Sequence, residues 1–237
     1  RQFNEFACSA AMKGFVDRVL VGNGDEASIG MGTEGLGPGG VEFRFCDSNN
    51  AATMVAQFWN CVCEVLTTPD EALPNLILQL PRLSSNHKRF AAVTQIMSRS
   101  LCLYQGDNVL SLVHLHPEYD RNDVDPVEKP AFGHLPPLSW IGPMLKASSS
   151  SDEQTLSLDQ LELSNYQHKA PLAAVTILRN SLLGDPEIVN LDLGDGVIVQ
   201  ASGLDTYTTN ALKTVNIGQE KLQNALDAEI GIVNSST

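Results

Sequence analysis

The stretch LVHLHPEYDR contains the residues of this chain whose types and spacing are best suited to chemistry. Its histidines, His114 and His116, are two positions apart, so on a β-strand both imidazoles would face the same side of the sheet. Together with a following carboxylate, Glu118 or Asp120, they could bind a metal such as zinc. Alternatively, a neutral His116 beside Tyr119 could act as a general base.

The competing interpretation is that both histidines are structural and mark the end of a buried strand. Catalytic zinc sites usually have three protein ligands, and no third ligand is evident beside this pair. His87, His134 and His168 lie in unrelated contexts, and neither G-x-S-x-G nor H-E-x-x-H occurs. We therefore favour the structural role, and we expect neither a metal nor another cofactor.

A glycine-rich segment contains the spelling G-x-G-x-x-G, from Gly30 to Gly35. A phosphate-binding version of this motif leaves a strand and enters a helix, whose N-terminus holds the anion. Here more glycines and a proline follow, then an apparent strand, and Glu34 stands inside the motif. The segment therefore predicts a flexible loop and not a nucleotide site.

Composition limits the classes of partner. The chain has 237 residues and a formal net charge of −13, with 28 acidic and 15 basic residues. An acidic surface repels nucleic acid and anionic lipid, so a basic protein surface is the better partner, although acidity that only maintains solubility explains the same count. No apolar run approaches the roughly 20 residues that span a bilayer. Because the first residue is Arg1, we expect a removed upstream segment, such as a targeting peptide.

The cysteines indicate a reducing compartment. Their number is five, which is odd, and they follow no regular spacing, so a disulfide framework is not predicted. Cys61 and Cys63 are two apart within an apparent helix, where they would point in different directions and make a poor pair of metal ligands.

Hydrophobic periodicity predicts one α/β domain over residues 1–237, with helices packed on a single sheet. We predict strands at Phe15–Gly22, Val41–Ser48, Asn75–Pro81, Val109–His116 and within Pro171–Leu183. We predict helices at Asn49–Leu66, His87–Tyr104 and Thr208–Ile230, the first of them capped by Asp47 or Ser48.

Two segments interrupt this pattern. Residues 120–164 form a Pro/Ser-rich insertion, and residues 185–203 are predicted to form a β-hairpin insertion with Gly194-Asp195-Gly196 at its tip. In the first insertion, Trp140 and Leu145 follow Pro136 and Pro137. These four residues form a candidate docking element, because prolines limit the entropy lost on binding and tryptophan is enriched at interface hot spots. The alternative is that Trp140 and Leu145 fold back onto their own domain.

Three motifs in order carry a family resemblance. They are HPEY at His116–Tyr119, NYQHKAPLAAVTILR at Asn165–Arg179 and NIGQEKLQNAL at Asn216–Leu226. This order resembles a small uncharacterised family, common in bacteria and present in algae, that is known only as a domain of unknown function. Its members carry Cys-Pro-Phe-Ala, then His-Pro-Asp-Tyr, then Asn-Tyr-Thr-Asn-Arg-Ser-Pro with a histidine before Leu-Leu-Arg. The resemblance extends from Phe3 to Leu226, excluding the insertions.

The chain departs from that family at its most reactive positions. The Cys-Pro pair is missing where Asn4 to Ala7 stand, and Thr176 occupies the place of the histidine before Leu-Leu-Arg. His116, Tyr119, Asn165 and Arg179 remain. If the family uses a cysteine and two histidines, the resemblance implies that this chain has lost the nucleophile and one base.

These observations favour a non-catalytic accessory subunit that docks its insertions on a larger assembly with a basic docking surface. The resemblance to an algal version of a bacterial family implies a plastid protein, and we expect the stromal side of photosystem I in an algal chloroplast, peripheral to the thylakoid membrane. The alternative is a small hydrolase or metal-dependent enzyme centred on His114 and His116, with His116, Tyr119 and Arg179 as catalytic residues.

Overall fold

The computed structural model describes residues 2–22, 26–30, 40–121, 135–147, 156–182, 188–194 and 196–235. Its α-helices are α1 (Glu5–Val16), α2 (Ala51–Thr67), α3 (His87–Leu103), α4 (Leu138–Ala147), α5 (Leu158–Glu162), α6 (Leu204–Ile217) and α7 (Gln219–Ser235). Its strands are β1 (Val41–Phe45), β2 (Asn75–Gln79), β3 (Leu110–Leu115), β4 (Ala174–Arg179), β5 (Ile188–Asp192) and β6 (Ile198–Ser202). The predicted α/β class is confirmed.

The main sheet has four strands in the order β1-β2-β4-β3. β1 pairs parallel to β2, whereas β4 pairs antiparallel to both β2 and β3. The strands β1, β2 and β3 therefore all point the same way, and β4 runs against them in the interior of the sheet. All four lie within the segments predicted as strands from Val41 onwards.

One face of the sheet is covered by α2 and α3. Both helices place an apolar stripe against strand residues such as Leu76, Leu112 and Val175. The stripes are those that helical spacing predicts, and every member is buried: Met54, Phe58, Val62 and Val65 on α2, and Phe90, Val93, Met97 and Leu101 on α3.

The opposite face is covered by α1 and α7, which come from the two ends of the chain. They bury residues such as Phe15 and Leu226 against Ile77 of β2. A buried ion pair joins the two helical segments: the Arg18 guanidinium donates to both carboxylate oxygens of Glu229, at 2.8 and 3.0 Å.

The strand predicted at Phe15–Gly22 is wrong. These residues continue α1 and then form a π-helical turn, Asp17–Val21, which ends at Gly22 with a left-handed φ of 76°. A short apolar run does not by itself distinguish a strand from a buried helix. The distinguishing signal lies upstream, because Cys8, Met12 and Phe15 already follow the three- and four-residue spacing of one helical face and are buried.

Two helix boundaries also differ from prediction. Asn50, and neither Asp47 nor Ser48, caps α2: its side-chain oxygen accepts from the backbone N–H of Ala52 at 2.8 Å. The single helix predicted at Thr208–Ile230 is two helices, α6 and α7. They are separated by Gly218, whose φ of 84° is left-handed and interrupts the helical path.

The insertions contain more structure than loops. α4 and α5 pack against the hairpin β5-β6 and α6 in a third hydrophobic cluster that includes Ile141, Leu161, Leu191 and Ala211. The predicted hairpin is confirmed by an antiparallel register from Ile188↔Ser202 to Asp192↔Ile198. Contacts of α6 with α7 join this cluster to the main sheet. The single-domain assignment stays a prediction.

Several sequence features fall on residues that the structure does not describe. They are His134, the tip residue Asp195, most of the glycine-rich motif (31–35), and two parts of the first insertion (122–134 and 148–155).

Candidate functional site

His116 follows the last residue of β3, at the edge where the three like-directed strands end. Its imidazole is completely buried. One ring nitrogen, Nε2, lies 3.1 Å from the carbonyl oxygen of Leu83, and the other, Nδ1, accepts from the backbone N–H of Glu118 at 3.0 Å. Because Nδ1 must accept and the Leu83 oxygen can only accept, the proton resides on Nε2. Both nitrogens of the neutral ring are therefore used by the backbone.

The surroundings of His116 keep the ring uncharged. Burial lowers its pKa from 6.5 to about 4, and the bond to the Leu83 carbonyl opposes this shift only in part. The ring of His87, 4.8 Å away between centroids, lowers the pKa further. A metal ion or a substrate proton could reach His116 only if one of its backbone bonds were broken. The imidazole is thus a structural connector between the end of β3 and the turn at Leu83.

His114 faces the same side of the sheet as His116, as the strand period predicts. Its Nε2 lies 3.4 Å from the Ser98 hydroxyl of α3. Both imidazoles contact the ring of Phe90, with centroid distances of 6.2 Å for His114 and 5.1 Å for His116. Across the described ranges, no group of three His, Cys, Asp or Glu residues is placed to hold a metal ion. The pair therefore lies in an aromatic, largely apolar setting.

Tyr119 is buried and its hydroxyl also serves the backbone. The phenolic oxygen accepts from the N–H of Leu135 at 2.9 Å, and burial raises the pKa of the phenol to about 12. The Tyr119 ring contacts the His168 ring at 4.7 Å between centroids. The backbone carbonyl of His168 in turn accepts from the N–H of His116 at 3.1 Å. Tyr119 thus anchors the segment at Leu135 to the end of β3.

Arg121 is a buried cation that sequence reasoning missed. Its guanidinium donates to the side chains of Asn165 (2.8 Å) and Ser164 (2.6 Å) and to the carbonyl of Pro136 (2.8 Å). Burial lowers its pKa to about 10, so the group stays charged at neutral pH. The signal in the sequence was the arginine that directly follows the HPEYD segment, and its distant partners could not be inferred. Arg121 connects the beginning and the end of the first insertion.

Arg179 does not belong with His116 and Tyr119. In the antiparallel register, Arg179 lies opposite Leu110, the first residue of β3, whereas His116 follows the last one. The two are therefore at opposite edges of the sheet, roughly 15–20 Å apart at about 3.3 Å per residue. The Arg179 guanidinium instead donates to the carbonyl of Val65 at the end of α2 and to that of Leu73. The alternative catalytic set is not assembled in this fold.

The candidate docking residues of the first insertion face inward to different degrees. Leu145 and Pro136 are buried, while Trp140 and Pro137 are half-buried. Leu145 is part of the third hydrophobic cluster, and Trp140 packs against it. The physical reason is that α4 turns its apolar side towards the hairpin and α6. Of the two alternatives for Trp140 and Leu145, the structure has the one in which they fold back onto their own chain.

A groove of about 440 Å³ lies at the edge where β1, β2 and β3 end. In open α/β sheets this edge is where ligands usually bind. Three prolines, Pro81, Pro117 and Pro171, contribute to its wall. Arg82 also lines the groove, and its guanidinium is already paired with the carboxylate of Asp47 (Nη2–Oδ2 3.0 Å). The lining of the groove is mixed, because Asn49, Ser84, Ser85 and Asn234 also contribute to it, and its cation is already paired.

No protein-family model, curated protein or solved structure matches this chain. The resemblance to a bacterial and algal family therefore stays a prediction from the quoted motifs. Among the helices of the described residues, none combines the length and the apolar character that a membrane-spanning helix needs.

Proposed function

We propose that this chain is a non-catalytic accessory subunit that docks on a larger protein assembly. The observation that carries the proposal is the state of His116, the residue best suited by sequence to chemistry. Both of its ring nitrogens are bonded to backbone groups, it is buried, and its pKa is lowered to about 4. A general base needs a pKa near the working pH and must reach the proton that it removes from the substrate. His116 meets neither requirement.

The neighbouring polar residues support the same proposal. The Tyr119 hydroxyl accepts a backbone N–H, and the Arg121 guanidinium binds groups of the chain's own insertion. Arg179 fastens the end of α2 at the other edge of the sheet. Each of these side chains stabilises the fold through its hydrogen-bond partners. We therefore expect that mutating any of them lowers the free energy of unfolding and does not selectively remove an enzymatic activity.

The setting we propose is the stromal side of photosystem I in an algal chloroplast. The support comes from the sequence: the ordered motifs resemble a family present in algae, and the net charge of −13 suits a basic docking surface. All five cysteines lie among the described residues and are not disulfide-bonded, which suits a reducing compartment such as the stroma.

The test is a pull-down from native thylakoid membranes with tagged full-length protein, at low and at high salt. We expect recovery of photosystem I core subunits at low salt and weaker recovery at high salt, because charge complementarity is screened by ions. A His116→Asn variant that is still folded should be recovered equally well. Failure to recover photosystem I at low salt would contradict the setting, and a hydrolytic activity that the His116→Asn variant loses would contradict the non-catalytic role.

A further inference from the structure

The charge of this acidic chain is unevenly distributed. Residues 72–106 contain four basic side chains, Arg82, Lys88, Arg89 and Arg99, and no acidic one. Three of these, all on α3, are exposed. The segment is therefore a cationic region in a protein whose other residues are strongly anionic.

The outward side of α3 also carries apolar residues. Ala92, Ile96 and Leu103 are exposed at positions four and seven apart, which places them on one side of the helix. Ile96 is 51% exposed and Leu103 is 76% exposed, although both are large and apolar. Lys88 and Arg99 are also exposed on this outward side, so an apolar stripe has a cationic border.

The outward side of α2 extends this surface without adding free negative charge. Ala56, Asn60 and Cys63 are exposed and uncharged. The carboxylate of α2, Glu64, is paired with the guanidinium of Arg44. The ring of Trp59, one turn before Cys63, contacts the ring of Tyr104 at 5.4 Å and so links α2 to the end of α3. The two helices present one continuous surface, which we call the α2/α3 face and define by Trp59, Cys63, Lys88, Ile96, Arg99 and Leu103.

We propose that the α2/α3 face docks an amphipathic helix of a partner protein whose apolar stripe is bordered by aspartate and glutamate. A third helix lying along two neighbouring helices is a common mode of recognition, and the exposed apolar side chains supply its contact area. Charge complementarity then selects an acidic border, because Lys88 and Arg99 lie beside the stripe. This inference rests on the proposed role as an interaction subunit. It adds an acidic contact for this cationic face to the basic docking surface that suits the anionic remainder of the chain.

Two other occupants fit less well. A second copy docked through the same face would bring the cations of α3 near those of its partner, where like charges repel. An anionic lipid surface would attract α3 but repel the remainder of a chain with 28 acidic residues.

The test uses the reactivity of Cys63, the exposed thiol on this face. The probes are two synthetic amphipathic helices with the same leucine and alanine stripe, one bordered by glutamate and the other by lysine. The readout is the rate of Cys63 alkylation by iodoacetamide, measured by mass spectrometry with added glutathione as the reference thiol. We expect the glutamate peptide to slow alkylation of Cys63 and the lysine peptide to leave the rate unchanged.

Charge-reversed variants supply the matched comparison. The double variant Lys88→Glu/Arg99→Glu should bind the glutamate peptide about tenfold more weakly, which corresponds to about 1.4 kcal/mol. The control Lys13→Glu/Lys146→Glu makes the same change in net charge at exposed positions on α1 and α4, and it should bind like the wild type.

Each other outcome overturns the inference. Absence of protection by the glutamate peptide, or equal protection by both peptides, removes the proposed chemistry. Protection of Cys63 that rises with protein concentration alone, together with a dimer in analytical ultracentrifugation, indicates a second copy. Protection by phosphatidylglycerol vesicles indicates lipid. If the peptide test fails while the pull-down succeeds, the accessory role stands and docking uses another surface. If the peptide test succeeds while the pull-down fails, the α2/α3 face stands as a docking surface and only the photosystem I setting is contradicted.

Discussion

The pH dependence of stability tests the structural role assigned to His116. Its pKa is about 4 in the folded chain and ordinarily 6.5, so the unfolded chain binds a proton at a higher pH than the folded chain does. The stability associated with the neutral ring is therefore fully present above pH 6.5 and is lost as the pH falls towards 4, below which the loss levels off. From these two values, the loss is about 1.4 kcal/mol at pH 5.5 and about 3 kcal/mol at pH 4.

The assay is urea unfolding of the wild type and of a His116→Asn variant, at pH 8 and at pH 5.5. The acid measurement is made at pH 5.5 and not at pH 4, because the chain would lose solubility closer to its low isoelectric point. Asparagine does not titrate, so it removes the contribution of His116 and leaves every carboxylate in place. At pH 8 the variant should be less stable by about 1–3 kcal/mol, because the buried carbonyl of Leu83 loses its donor and the smaller side chain leaves part of the imidazole's buried space empty.

The decisive quantity is the difference in unfolding free energy between wild type and variant. We expect this difference to shrink by about 1.4 kcal/mol between pH 8 and pH 5.5. If it stays constant, His116 titrates normally in the folded chain, and the argument that burial and backbone bonds have removed it from chemistry is refuted.

Three further predictions concern the ion pair, the first insertion and metal content. Glu229→Leu alone should cost about 3–5 kcal/mol of stability because it leaves Arg18 buried without its carboxylate, whereas Arg18→Met/Glu229→Leu should recover most of that loss; additive losses in thermal unfolding would contradict this. Trp140→Ala should cost about 2 kcal/mol of folding stability, since the partly buried indole packs against the third cluster; urea unfolding identical to wild type would show that this packing contributes nothing. Purified protein should contain far less than one zinc per chain by elemental analysis; one equivalent that disappears in His116→Ala would overturn the structural role.

The elements that the sequence predicts best are those in which apolar residues recur regularly over several helical turns. The stripes that begin at Met54 and Phe90 each extend over three turns of a 17-residue helix, so the period is unambiguous. The segments of β2 and β3 were also predictable because they are short apolar runs between turn residues. The structural role favoured for His116 is supported by its two backbone bonds, which depend on the turn that directly follows the strand.

The remaining features depend on contacts between residues far apart in the chain. Nothing local indicates that β4 pairs between β2 and β3, and that position determines where Arg179 lies relative to His116. The partners of Arg121 are Pro136, Ser164 and Asn165, which follow it by 15, 43 and 44 residues, so its burial has no local signal. The wrong strand at Phe15–Gly22 has a local cause. The window of residues considered was too short to include the preceding turns of α1.

The interior position of β4 has a consequence for synthesis on the ribosome. Until residue 174 emerges, β3 has no neighbour in the sheet, because β2 and β3 do not pair directly. The sheet face that α1 and α7 cover stays incomplete for longer, because Glu229, the partner of Arg18, is 211 residues further along the chain. Long-range pairing of this kind slows folding and leaves unpaired strand edges exposed to other chains. We expect the nascent protein to need protection by chaperones until α7 is released, and C-terminal truncations that remove α7 to aggregate.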